Sequence, residues 1–418
     1  TDGVPLWGKP PLLFWLDSIA VLLFGLTEFA LRLPQFLFTL MLVALFWYWP
    51  YLQNDLQKSK NAPLITSLIF ISTPIGFLSA GFVATDIYLT GGLMLSMFGF
   101  WIAMNGHTSI WSWAFFVGIA IGLLAKGPLS IVLLGVALFL WILPAPIMRL
   151  VMLWKHLPWI RGSLLTAVIA LPWYILHEIR TPGFLRHFII GEHFERFLVK
   201  DWAGGRFAPS HGEPLGMIWW FAFESFLPWI LLALPALYMA FKNKSEALRE
   251  RLTPSADEYY LWCWILAPLL FFSFSKNILE AYVLPALPAF ALLMHKVISR
   301  LIASKPFWRW SLGFAMLTPL VITVLVFFFK PVLETQSQKY LLQKHWISGT
   351  PIFYVADLPP SAIFYTYNQA KEVGTYKDIR QSGLVVFPKP IFETLSNEEK
   401  AGLQIIESYA ASVMVRRP

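Results

Sequence analysis

Charge is what this sequence has least of. Only 13% of its 418 residues are Asp, Glu, Lys or Arg and 57% are hydrophobic, against roughly a quarter charged in an ordinary soluble domain. So few charged groups cannot clothe a water-soluble surface of this size, and the chain is expected to lie in a membrane. Cysteine is almost absent as well. The single copy, Cys263, has no partner for an intrachain disulfide and stands in an apolar stretch as a small buried hydrophobe. No glycine-rich phosphate loop leads into a helix, so nucleotide chemistry is not expected. No internal repeat or low-complexity segment stands out. No initiator Met, charged n-region or signal peptide opens the chain at Thr1, and the expectation is a start that has been truncated or processed.

The formal charge of +8 does not rescue a nucleic-acid reading. In a multispanning protein the excess Lys and Arg collect in cytoplasmic loops as topology signals. What the sequence has in plenty is apolar and aromatic: 20 Trp and 36 Phe, the kind of side chain that gathers at membrane interfaces.

A membrane span needs about 20 mainly apolar residues. Ten such runs are expected, at 31–52, 62–80, 87–104, 108–124, 128–143, 158–177, 215–241, 259–275, 282–300 and 308–329. The run from Leu12 to Phe24 is shorter, contains Asp17 and follows Pro10 and Pro11, which reads as an interfacial or re-entrant helix. With that assignment the cations near Lys58, Arg149, Lys242, Arg249 and Lys296 all fall on one face, the cytoplasmic one. The opposite face receives the chain start, the turns at Asp86 and Lys126, the loop 178–214, the connection "SKNILEAY" and everything after Lys330. Residues 1–330 thus form a membrane-embedded domain. Residues 331–418 read as a small α/β domain, with strands at "TPIFYVADLPP", "GLVVFP" and "YAASVMV" and helices at "SAIFYTYNQA" and "SNEEKAGLQII".

The polar residues of the outer face ask for reasons, because an ionised group at membrane depth costs at least about 2.5 kcal/mol. Asp86 opens a span and suits a helix N-cap without excluding a second role. Lys9 and Lys126 share a design: an ammonium followed directly or closely by proline, in "GKPP" and "AKGPLS". A snorkelling lysine is the ordinary explanation, but two on one face can serve an anionic headgroup as paired point charges. Lys276 and Tyr282, candidates with Lys9 and Lys126 for binding a donor phosphate, flank the short connection before a span broken by Pro285 and Pro288; as a pair they also fit ordinary interface anchors. The loop around "GEHFERF" and "GGRFAPSHGEP" offers Glu192, His193, Arg196 and His211. It reads as a substrate loop able to close at Gly204 and Gly205. Its His and carboxylate spacing matches no strong metal motif, so a divalent ion there stays an open alternative and no other cofactor is indicated.

Taken in order, "GKPPLLFWL", "ATDIYLT", "LLAKGPLS", "EHFERF", "SHGEP" and "SKNILEAYVLPALP" resemble one family. The chain is similar to bacterial polyprenyl-phosphate-sugar glycosyltransferases of the GT-C fold, related to protein O-mannosyltransferases and to the aminoarabinose transferases that modify lipid A. The resemblance implies transfer of one sugar from a lipid carrier to lipid A, another envelope glycan or a protein, at the periplasmic face of the bacterial inner membrane. It implies that Lys9 holds the carrier phosphate, that Tyr282 approaches the same group, that Asp86 matches a second acidic motif as a catalytic residue and that Lys126 matches a lysine in the corresponding turn. The family's main carboxylate belongs to a motif upstream of the lysine-proline pair; Asp2 lies too close to Lys9 to match it, and on this reading the truncated chain lacks that base. The rival reading is a transporter or flippase of a lipid-linked glycan. Transporters place ionisable groups near the bilayer midplane, whereas here they gather at one interface.

Overall fold

A computed structural model of the chain describes residues 7–48, 61–106, 110–200, 202, 211–231, 254–301, 307–335, 337–409 and 411–417. The chain divides into two compact units, Thr1–Pro319 and Leu320–Pro418. The first is helical. Its order is α1 (Leu12–Phe24), α2 (Glu28–Leu45), α3 (Ala62–Ser72), α4 (Pro74–Ser79), α5 (Asp86–Met104), α6 (Ile110–Lys126), α7 (Leu129–Ile142), α8 (Pro146–His156) and α9 (Trp159–Arg180). An arm follows, made of Phe184–Arg186, a π-helical stretch His187–Glu195, and Arg196–Leu198. Then come α10 (Met217–Ser225), α11 (Ala256–Phe272), a 3₁₀ turn Glu280–Ala286, α12 (Leu287–Leu301) and α13 (Phe307–Thr335).

At the centre stands α5, almost wholly buried among its neighbours. It is stitched to α6 by glycines. A Cβ at Gly92 would lie 2.7 Å from the Gly118 carbonyl and the Gly122 amide nitrogen, so only glycine lets the two backbones approach this closely. The Ser96 hydroxyl donates to the Phe115 carbonyl at 2.9 Å across the same crossing. The two helices run antiparallel, which brings the first residue of α5, Asp86, beside the last of α6, Lys126.

Among the described helices three are long and apolar enough to cross a membrane by themselves: Glu28–Leu45, Asp86–Met104 and Trp159–Arg180. Several other expected spans take a different shape. The run 62–80 divides at Thr73, whose hydroxyl caps α4 by accepting from the Gly76 amide at 3.2 Å where Pro74 interrupts the backbone ladder. The run 282–300 begins as a 3₁₀ turn, because Pro285 offers no amide hydrogen; the Trp264 indole donates to the carbonyl of Pro285 at 2.9 Å and ties the turn to α11. Leu12–Phe24 forms a helix of 13 residues, shorter than a crossing requires. The later parts of the runs at 31–52 and 215–241 lie outside the described residues. One helix was not expected at all: α8 places Ile147, Met148 and Trp154 outward and buries only Leu153.

The second unit contains the end of α13, the short helices α14 (Lys339–His345), α15 (Pro360–Tyr365), α16 (Lys389–Thr394) and α17 (Asn397–Ala401), and a five-stranded sheet. The strands are β1 (Ile352–Val355), β2 (Lys371–Val373), β3 (Gly383–Pro388), β4 (Gln404–Tyr409) and β5 (Ser412–Arg417), in the order β2-β1-β3-β5-β4. β2, β1 and β3 run parallel, and β5 and β4 complete the sheet antiparallel. Alternate residues of β1 and β3 feed two cores on opposite faces, Ile352 and Tyr354 on one and Phe353 and Val355 on the other. Two helix expectations are corrected here. "SAIFYTYNQA" stops being helical at Tyr365 and leads through Tyr367 and Asn368, both at positive φ, into β2. "SNEEKAGLQII" is helical only over Asn397–Ala401; Gly402 ends the helix and the apolar residues that follow pair as β4.

Candidate functional site

Ends of several of these elements enclose a cavity of about 570 Å³. Its polar wall is Lys9, Lys126, Glu192, His193, Arg196, Ser275, Asn277 and Tyr282; most of the rest is apolar, including Leu129, Val132, Phe188 and Phe271. Six residues singled out in the sequence, Lys9, Lys126, Glu192, His193, Arg196 and Tyr282, therefore share one wall although 273 positions separate the first from the last.

Each is placed for a local reason. Lys126 ends α6, and Gly127 turns the chain at φ +74°. A Cβ there would lie 2.7 Å from the Phe188 ring, so glycine is required both by the backbone angle and by the space. The Lys126 ammonium pairs with the Asp86 carboxylate and lies 4.3 Å from the centre of the Tyr282 ring. Asp86 sits in the first turn of α5, but its side chain makes no cap; it goes to Lys126 and stands behind the cavity wall rather than on it.

The π-helical arm supplies three more side chains. π turns are rare and tend to occur at functional sites. Phe188 is buried against Tyr174 of α9 and Phe184, and the Tyr174 hydroxyl donates to the Leu123 carbonyl at 2.7 Å, tying to α6 the helix on which the arm packs. Arg196 Nη1 donates to Glu192 Oε2 at 3.0 Å, an ion pair nearly closed to solvent. His193 lies with Nδ1 2.7 Å from the Phe188 carbonyl and Nε2 3.2 Å from that of Lys126. Burial holds this imidazole below its usual pKa, so at neutral pH it has one N–H for two carbonyls and its part is to tie the arm to the Lys126 turn.

Lys9 differs from the other cations. Among the described residues it makes no ion pair and no hydrogen bond. Burial lowers its pKa to about 8, the nearby Lys126 and Arg196 push the same way, and Asp86 and Glu192 only partly compensate. At pH 7 it is still an ammonium, held at the wall of a mainly apolar cavity without a counter-ion of its own. Its neighbour Gly8 lets the chain pass close to the arm: a Cβ there would come within 3.1 Å of Glu192 Oε1. Such a group can receive an anion.

Lys276 and His211 do not join this wall. The Lys276 side chain is exposed and its backbone amide donates to the Phe197 carbonyl at 3.0 Å. His211 is exposed and accepts through its carbonyl from the Ile278 amide at 3.2 Å, beside the bridge between Gly212 and Asn277. Both residues hold the connection together through the backbone. Gly204, Gly205 and Arg206 lie outside the described residues. Among the described residues no three His, Cys, Asp or Glu stand close enough together to hold a metal ion.

Asn277 was not singled out from the sequence. It is buried, and its Nδ2 donates to the Arg196 carbonyl at 2.5 Å and the Val199 carbonyl at 2.6 Å, fastening the end of the arm. The only sequence signal was a polar amide inside an otherwise lipophilic connection, which is weak by itself.

In a helical fold with spans apolar enough to cross a membrane, Lys9 thus stands on a mainly apolar cavity without a pairing partner among the described residues. The family model described as dolichyl-phosphate-mannose-protein mannosyltransferase matches residues 2–188. An undecaprenyl phosphate-alpha-4-amino-4-deoxy-L-arabinose arabinosyl transferase of Erwinia tasmaniensis is 28% identical over 291 residues, 68% of this chain and 48% of that protein. The corresponding transferase 1 of Pseudomonas fluorescens strain Pf0-1 is 30% identical over 310 residues, 71% of this chain and 49% of that protein. The crystal structure of ArnT from Cupriavidus metallidurans bound to undecaprenyl phosphate superposes with a TM-score of 0.71 at 17% identity, over 99% of this chain and 89% of that one. Its apo form gives a TM-score of 0.74 at 18% identity. Family model and relatives are alike in pointing to GT-C glycosyltransferases of the aminoarabinose-transferase type as what this chain resembles, and the solved structures share its fold. The chain spans about half the length of the curated relatives it matches.

Proposed function

We propose that this protein transfers a sugar from a polyprenyl-phosphate donor to an envelope acceptor, lipid A, another glycan or a protein, at the periplasmic face of the bacterial inner membrane. The observation that carries the reading is Lys9: a half-buried ammonium without a partner among the described residues, on a cavity whose remaining wall suits an isoprenoid chain. The donor phosphate sits against Lys9 and Lys126, with Arg196 and the Tyr282 phenol alongside. As an acceptor hydroxyl bonds to the anomeric carbon and the C–O bond to the carrier phosphate breaks, the leaving phosphate gains charge that preorganised cations in a dry site stabilise, and the proton released by the hydroxyl ends on the departing phosphate or in water. Asp86 acts through Lys126, fixing its ammonium. Lys276 and His211 contribute by holding the connection that carries Asn277 and Tyr282. The unit Thr1–Pro319 is the membrane-embedded catalytic part, and the sheet-bearing unit is its periplasmic companion.

The names of the relatives point to 4-amino-4-deoxy-L-arabinose as the sugar and undecaprenyl phosphate as the carrier. The test is sugar transfer by the purified full-length protein in detergent micelles, where no two compartments exist and a pure transporter has nothing to do. Transfer that falls at least tenfold in Lys9→Met and in Asp86→Asn supports the reading. Full transfer by both variants, or none by the parent protein with any envelope acceptor, overturns it.

A further inference from the structure

Asn277 has two ends, and only one is used. Both protein groups facing its amide nitrogen are carbonyl oxygens, so the nitrogen must lie on that side and the orientation of the amide is fixed by the network. The opposite atom, Oδ1, is buried and meets no donor among the described residues. A buried acceptor left without a donor costs free energy, and on a residue of a cavity wall a ligand can supply the missing partner. Asn277 is also part of the cavity wall.

The surroundings say what kind of partner. A row of rings runs along the cavity from Tyr282 to Phe272, Phe271 and Phe197, with centroids 4.7, 5.0 and 4.9 Å apart in turn. One end of the row lies under the Lys126 ammonium. The other end, Phe197, sits next in the chain to Arg196, whose carbonyl Asn277 holds. An isoprenoid tail has no hydrogen to donate, and burying it against Oδ1 would leave the acceptor orphaned. A sugar ring has apolar C–H faces for the rings and O–H or N–H groups at its edge.

We infer that the Asn277 Oδ1 and the aromatic row from Tyr282 to Phe197 form the subsite for the glycosyl group of the donor, with Oδ1 accepting a hydrogen bond from one hydroxyl or amine of the sugar. This rests on the reading of the cavity as a polyprenyl-phosphate-sugar site and adds where the sugar lies and which atom recognises it. The tail then leaves by way of Leu129 and Val132 on the α7 side.

The experiment measures dissociation constants of undecaprenyl phosphate and of its 4-amino-4-deoxy-L-arabinosyl ester for the parent protein and for Asn277→Leu, in the same detergent. Loss of the Nδ2 anchors weakens both lipids alike, so the ratio of the two constants isolates Oδ1. Asn277→Leu is expected to raise the constant of the sugar ester by about 5- to 100-fold more than that of the free carrier. Deoxy analogues of the ester locate the donor group: one of them binds the parent protein as weakly as Asn277→Leu binds the full ester, and gains nothing further from the substitution. Equal losses for both lipids would reduce Asn277 to a residue that positions the arm and overturn the subsite, as would no loss for either. Failure of the parent protein to bind either lipid would instead overturn the functional reading itself.

Discussion

Replacing Lys9 by methionine separates holding a ligand from holding the fold. In the ligand-free protein the ammonium is a liability: burial disfavours its charge, and Lys126 and Arg196 repel it. An apolar chain of similar length removes that cost, so Lys9→Met is expected to melt at the parent temperature or above it. Ligand binding reverses the sign. Truncating one partner of a buried, hydrogen-bonded charge pair costs about 2–5 kcal/mol, which is roughly 30-fold to a few thousand-fold in affinity at about 1.4 kcal/mol per tenfold. A ligand at one hundred times its dissociation constant stabilises the parent by about 2.7 kcal/mol. After even a 30-fold loss the same concentration contributes under about 1 kcal/mol. The assay is a melting curve in detergent with and without undecaprenyl phosphate. A lowered melting temperature without ligand, together with an unchanged ligand-induced shift, would refute the reasoning, since Lys9 would then serve the fold and not the phosphate.

Three further outcomes follow from the same geometry. Lys9 loses its proton as pH rises through about 8, so carrier affinity is expected to be flat below that pH and to fall above it by up to about tenfold per unit; a flat profile from pH 7 to 10 in a fluorescent-lipid titration would contradict this. Gly127→Ala combines a left-handed backbone, which costs about 1–2 kcal/mol, with a clash on Phe188, so it is expected to lower both the melting temperature and carrier affinity; a variant indistinguishable from the parent in both measurements would contradict the role given to this turn. In the second unit, Lys344 and His345 bonded to Glu407 hold its pKa down to about 2. That contribution is complete above the ordinary carboxylate range and is lost as pH falls toward 2. Hydrogen exchange at β4 and β5 is therefore expected to accelerate in Glu407→Gln at pH 7, and the difference from the parent protein to vanish at low pH.

Much of this site was legible in the sequence because its parts are expensive. Lys9, Lys126, Glu192, His193, Arg196 and Tyr282 stood out as polar groups in a greasy chain, all but Tyr282 beside a proline, glycine or aromatic, and the fold brings all six to one cavity. What the sequence did not convey was who pairs with whom. Asp86 looked like a cap, and only the antiparallel crossing of α5 and α6, set by glycines such as Gly92 and Gly118, shows its carboxylate turned to Lys126. Lys276 and Asn277 are adjacent, and the charged one drew notice; burial reverses their importance, because the lysine points away while the amide closes the arm. The π turn left no signature, since its hydrogen-bond register depends on tertiary moorings at Phe188, His193 and Asn277 rather than on local propensity. In the second unit β4 was hidden behind a helix-like stretch whose end is marked only by Gly402.

The claim on which the rest stands is that the cavity recognises a lipid-linked phosphate. Competition between undecaprenyl phosphate and undecaprenol for the purified protein tests it most directly, because the two lipids share the tail and differ in the headgroup. The account predicts saturable binding of the phosphate, at least about 30-fold tighter than that of the alcohol, with the advantage abolished in Lys9→Met. Equal affinity for the two lipids in the parent protein would contradict it.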